Sequence, residues 1–95
     1  MRRAARVDGN QAEIVSALRG AGCSVCVLSA VGEGCPDLLV GYRGYNFLFE
    51  VKDPEQPKHR HELTDEQVEF HASWQGQVQK VFSAGEILRA IRGLL

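Results

Sequence analysis

Gly34-Cys35-Pro36-Asp37-Leu38-Leu39-Val40-Gly41-Tyr42-Arg43-Gly44-Tyr45-Asn46-Phe47-Leu48-Phe49-Glu50-Val51-Lys52 reads as a β-hairpin: apolar and aromatic residues fill two arms, and Arg43-Gly44 stands between them as the turn. With a two-residue turn, Tyr42 faces Tyr45, Val40 faces Phe47 and Asp37 faces Glu50. The last pairing brings two carboxylate-bearing Cβ atoms to about 5 Å. Strand side chains alternate faces, so Lys52 projects on the same side as Glu50. The other side carries Leu38, Val40, Phe47, Phe49 and Val51, a core-facing set. A four-residue loop would move Asp37 to a diagonal of Glu50, an even slide that leaves the faces unchanged, and a bulge would also shift the pairing.

Two carboxylates at that distance repel each other unless a cation sits between them. Their oxygens suit hard divalent ions such as Mg2+ or Mn2+, with phosphate oxygens and water completing the shell. Lys52 adds positive charge of the kind that an attacking water or a pentacovalent phosphorus requires. The three charges therefore point to phosphodiester hydrolysis. Each fragment alone has a plainer reading: Glu-x-Lys is a common same-face ion pair on a strand, and Pro-Asp is a common turn opening. Their order, the gap between them and the apolar arms favour chemistry.

Pro36-Asp37, twelve residues, then Glu50-Val51-Lys52 resembles the PD-(D/E)XK nuclease signature, and Gly34-x-Pro36-Asp37-Leu38 is similar to the short form found in its VRR-NUC family. The resemblance implies that Asp37, Glu50 and the carbonyl of Val51 bind the metal, and that Lys52 orients or activates the water. It adds an acidic residue on the first helix, here Glu13, and a glutamine from Leu-Thr-x-x-Gln-x-x-Phe-His, here Gln67. It also implies a restriction-endonuclease-like αβββαβα core, a mixed sheet flanked by helices.

Ninety-five residues, 44% hydrophobic, suit one domain over 1–95. The sequence has no apolar run of membrane-spanning length and no signal-peptide core, which predicts a soluble, cytoplasmic protein without membrane contact. Three cysteines fit a reducing compartment. Cys23-x-x-Cys26 lacks a second ligand pair of zinc-site spacing, so buried free thiols are the better reading. A net charge of −1 argues against holding nucleic acid by bulk electrostatics. The basic residues are clustered, however: Arg2, Arg3 and Arg6 open the chain, Lys58 and Arg60 share a loop, and Arg89 and Arg92 lie near the end.

In chain order, Asp8 to Gly20 is a helix with Ile14, Val15 and Leu18 as its stripe. Asn10 and Glu13 have capping-box spacing, which competes with a site role for Glu13. Ser24 to Ala30 reads as a buried strand. The glycine-bearing loop of residues 31–36 lets the backbone approach a ligand or the first helix; Glu33 in it has no assigned role. Residues 53–62 are too polar and proline-bearing for regular structure and follow Lys52 directly. There Lys58 and Arg60 are candidates for phosphate contact, and His59 and His61 are unassigned. Thr64 and Gln67 form a capping box that opens a second helix, so Gln67 has two candidate roles. Phe70 and Trp74 on that helix read as core residues, a stacking platform for bases being the lesser alternative. Gln77 to Phe82 is a strand, and Ser83 with Glu86 is a capping box for a last helix striped by Ile87, Leu88, Ile91 and Leu95.

The expectation is a metal-dependent, structure-selective endonuclease acting on branched DNA such as Holliday junctions. The alternatives are a non-cleaving nucleic-acid-binding module on the same fold and a small structural domain whose three charges form a surface ion-pair cluster. Stand-alone relatives pair on junctions, which implies a homodimer. The apolar Ile91-Arg92-Gly93-Leu94-Leu95 is read as a candidate interface, with core burial as the other reading.

Overall fold

A computed structural model describes residues 9–95; Arg2, Arg3, Arg6 and Asp8 lie outside the described residues. The elements run α1 (Gln11–Gly20), β1 (Ser24–Val27), β2 (Leu38–Tyr42), β3 (Tyr45–Val51), α2 (Asp65–Ser73), β4 (Val78–Val81) and α3 (Ala84–Leu94). The order αβββαβα is the one read from the sequence. The strands form one sheet in the order β1-β2-β3-β4, antiparallel through the first three and parallel between β3 and β4. The protein is thus a small α/β domain with a four-stranded mixed sheet and three helices. None of the described helices is long and apolar enough to cross a membrane.

The hairpin register is the predicted one: Leu38 pairs with Phe49, Val40 with Phe47 and Tyr42 with Tyr45. Arg43 and Gly44 both adopt positive φ, 51° and 86°, as a tight turn matched to strand twist requires. On one face of the sheet Leu38, Val40, Phe47, Phe49, Val51 and Val81 meet Ile14, Val15 and Leu18 of α1 and Ile87 and Ile91 of α3. Phe49, Leu18, Leu38, Ile87 and Ile91 are among the fully buried side chains. Each of these contributes about 1.5–3 kcal/mol. Asn10 ties the entry of α1 to two strand ends, its Nδ2 donating to the Lys52 and Phe82 carbonyls at 3.3 and 3.1 Å.

Among the described helices it is α2 that lies against the second face, and α2 buries no residue completely. Trp74, expected in the core, is 47% exposed, and Phe70 is half-buried, their rings stacked on each other at 5.0 Å. The pattern that suggested burial is helical spacing, but the described residues form no further layer for these rings to enter.

Other expectations also need correction. The strand predicted over residues 24–30 is shorter and is an edge strand, so Cys26 and Val27 are exposed rather than buried. Its edge is partly blunted by Arg19, whose Nη2 donates to the Val25 carbonyl at 3.0 Å. Asn10 precedes α1 without a side-chain cap, because its amide is engaged with the strand ends. Before α3 the Ser83 hydroxyl accepts from Glu86 N as expected, but the Glu86 carboxylate reaches Phe82 N rather than closing the box on Ser83. The polar segment after β3 contains one short 3₁₀ turn, Lys58–Arg60. At the C-terminus Ile87 and Ile91 are core residues, whereas Leu94 and Leu95 remain about half exposed.

Candidate active site

Asp37 immediately precedes β2 and is only 6% exposed. Continuing the ladder by one residue places it across from Glu50. Its Oδ2 accepts from the Val51 backbone N–H at 2.8 Å, so the carboxylate is fastened to the residue between Glu50 and Lys52. Its Oδ1 lies 3.4 Å from the Ser29 hydroxyl, which in turn accepts from Gln11 Nε2 at 3.0 Å. Ser29 and Gln11 are themselves buried. This chain connects α1 to the acid through the segment after β1.

Glu50 and Lys52 are 3% and 7% exposed, with Lys52 Nζ 3.8 Å from Glu50 Oε2. Gln67 joins them: its Nε2 donates to Glu50 Oε2 at 3.2 Å, and its Oε1 accepts from Lys52 Nζ at 2.9 Å. The same Oε1 accepts from Thr64 N at 2.9 Å, and the Thr64 hydroxyl accepts from Gln67 N, completing the capping box. The two roles foreseen for Gln67 are therefore one geometry. An amide oxygen has two lone pairs, and here the helix cap and the lysine each take one.

Gly34 makes this docking possible. Its φ is +79°, and a Cβ built there would collide with the Glu66 carbonyl group, 2.6 Å from the carbon, and would stand 3.1 Å from Gln67 N. The loop before Asp37 thus rests directly on the first turn of α2, where the sequence reading had it approach a ligand or the first helix.

Cys35, next in that loop, has its thiol pKa raised by burial and by the negative charges of Glu50 and Asp37. His71, one helical turn after Gln67, has its imidazole pKa lowered by burial and by the positive charge of Lys52. Both shifts favour the uncharged form beside the charged cluster. Lys80, the register partner of Glu50 on β4, joins the same face with its Nζ 5.6 Å from the Phe82 ring centroid.

Glu13 is not part of this cluster. It is exposed and lines a surface groove with Asn10, Asp53, Glu55 and Phe82. The residue that α1 delivers to the Asp37 network is Gln11, about 200° around the helix from Glu13. Lys58 and Arg60 sit on the 3₁₀ turn with no ion pair among the described residues. His61 packs edge-on against Phe82 at 5.2 Å, and His59 is exposed. Glu33 is exposed in the loop with φ 58°. The sequence reading missed Gln11, Ser29, His71 and Lys80. A polar residue beside the apolar stripe signals the first, but nothing local reveals which strand β4 joins.

The donor chemistry fits a hard divalent ion. Two buried carboxylates, Asp37 and Glu50, lie on one side of the sheet, and Asp37 keeps lone pairs after accepting its two hydrogen bonds. The described residues contain no group of three or more His, Cys, Asp or Glu side chains gathered as for a metal. A two-carboxylate set that leaves positions for water and phosphate is the Mg2+ pattern rather than a closed protein cage. Comparison of the chain with known protein families, with curated proteins and with solved structures gave no match.

Proposed function

We propose that the protein is a divalent-metal-dependent endonuclease that hydrolyses phosphodiester bonds in branched DNA, with the restriction-endonuclease-like fold and chemistry of the VRR-NUC family. The observation that carries this reading is the burial of Asp37, Glu50 and Lys52 side by side, with the Gln67 amide holding acid and lysine together. A surface ion pair needs neither that burial nor the fixed amide. A domain that only binds nucleic acid gains nothing from paired acids, which repel phosphate.

Asp37, Glu50 and the Val51 carbonyl would hold Mg2+ or Mn2+. When bound, the ion supplies charge neutralisation and Lewis acidity at the scissile phosphate. The chain's own residues do the rest. Lys52 presents an ammonium whose direction Gln67 fixes, where it stabilises negative charge developing on phosphorus oxygens and orders the attacking water. Asp37, anchored on Val51 N–H and Ser29, holds its carboxylate on the same side as Glu50. Lys58 and Arg60, on the turn that follows, contact the backbone of the same strand. Two copies, paired in part through Leu94 and Leu95, set two sites against opposed strands of a junction inside the cell.

The test is to incubate the protein with a four-way junction and with a linear duplex of the same sequence, in Mg2+ or Mn2+ and in chelator. The expected result is nicking of the junction only when metal is present, with Ca2+ supporting binding but little cleavage. No cleavage of DNA in either metal, or equal cleavage in chelator, overturns the reading.

A further inference from the structure

The face of the sheet that carries Glu50 continues, one same-side step along each strand, into Leu48 and Leu39, about 6.7 Å from the acids. These two leucines, with Leu28, Cys35, Phe70 and Trp74, line a cavity of about 400 Å³ between α2 and the sheet. That volume lies in the range of about 300–1,000 Å³ typical of small-ligand sites.

Among the described residues the lining has no charged side chain. Of its polar members, Gln77 is committed to the backbone of Leu48, accepting from N at 2.7 Å and donating to O at 3.1 Å. Asn46, at the far end, makes no side-chain hydrogen bond among the described residues, so its amide is available to a ligand edge. Phe70 and Trp74 stack with an interplanar angle of 16°, and Trp74 is half exposed despite its size. Cys35 borders both this cavity and the acids, since Glu50 and Asp37 both act on its thiol.

We propose that this cavity receives one unpaired nucleobase of the substrate strand, flanking the phosphate at Asp37 and Glu50. The proposal rests on the nuclease reading above. An uncharged, aromatic-walled cavity repays desolvation of a flat neutral ring and offers nothing to a phosphate. The polyanionic backbone therefore stays outside, at Lys52 and the basic turn, while the base turns inward. A base can enter only when it is not paired, so the cavity selects branch points, flaps and single strands over continuous duplex. A second copy of the chain is a poorer occupant, because a stable protein interface needs a broad surface of roughly 800 Å² per partner, not a nucleotide-sized hollow.

Trp74 is the chain's only tryptophan, which makes its fluorescence a specific reporter. The experiment titrates the full chain, in chelator so that nothing is cut, with a short single-stranded oligonucleotide and with an abasic strand of equal length and charge. The expected result is quenching of Trp74 by the base-bearing strand and about 5- to 100-fold weaker binding of the abasic one. Phe70→Ala, followed with a labelled strand, should lose most of that preference and keep the abasic affinity. The wild-type comparison decides even where the variant is unstable. Equal affinity for both strands, or binding without quenching, overturns the proposal. So does a concentration-dependent blue shift of Trp74 without nucleic acid, which would mark a second copy as the occupant. Junction cleavage without quenching overturns the cavity assignment alone. Base-dependent quenching without cleavage in either metal supports the cavity and overturns the nuclease reading.

Discussion

Asp37→Asn and Glu50→Gln should each lower metal-dependent cleavage by about 10²–10³-fold or more while leaving the far-ultraviolet circular dichroism unchanged. The amides are the informative substitutions because the structure gives the acids structural duties as well. Asparagine at 37 keeps an oxygen for Val51 N–H, and glutamine at 50 keeps an acceptor for Gln67 and Lys52. Alanine at 37 instead leaves a buried N–H without an acceptor, at about 1–3 kcal/mol of stability. Repulsion between the two acids by itself favours removing either one, and the Val51 contact reverses that sign for Asp37. Lys52→Met should abolish cleavage too and should lower stability by about 3–5 kcal/mol, because Glu50 then loses its ammonium partner. Wild-type rates in a folded Asp37→Asn or Glu50→Gln variant would show that the chemistry lies elsewhere.

Gly34→Ala should unseat α2. The added Cβ would meet the Glu66 carbonyl group, which is main chain and cannot rotate away, and the residue would have to hold φ at +79°. Overpacking and left-handed backbone together should cost about 2–4 kcal/mol. The damage should be local. The main core lies on the opposite face, between the sheet, α1 and α3, and draws no residue from α2. Amide exchange should therefore accelerate in Asp65–Ser73 with little change in Tyr45–Val51. Cleavage should fall with it, since Gln67 adjoins the point of collision and would release Lys52 and Glu50. A variant with the wild-type urea midpoint and protected α2 amides would contradict this packing.

The hairpin was legible because its information is local: a tight turn fixes the register, and alternation assigns Asp37, Glu50 and Lys52 to one face and Phe49 and Val51 to the other. Capping chemistry at Thr64 and Gln67 was equally local, which is why α2 begins where expected. What failed was long-range. Whether Ser24–Val27 is central or an edge depends on strand order, and strand order depends on β4 joining β3 in parallel across an intervening helix. The same gap hid Lys80 beside Glu50 and left Trp74 wrongly inside. On α1 the family resemblance pointed to Glu13, with a capping box on Asn10 as the other reading. The rotation of the helix was settled by burial of Ile14 and Leu18, and that rotation presents Gln11.

Asp37 and Glu50 are proposed to hold a divalent ion together. Calorimetric titration of the metal-free protein with Mn2+ tests it most directly, wild type against Asp37→Asn and Glu50→Gln. The expected result is weak binding to the wild type, tighter binding when non-cleavable DNA supplies phosphate oxygens, and loss of that binding in both variants. Mn2+ affinity unchanged by either substitution would contradict it.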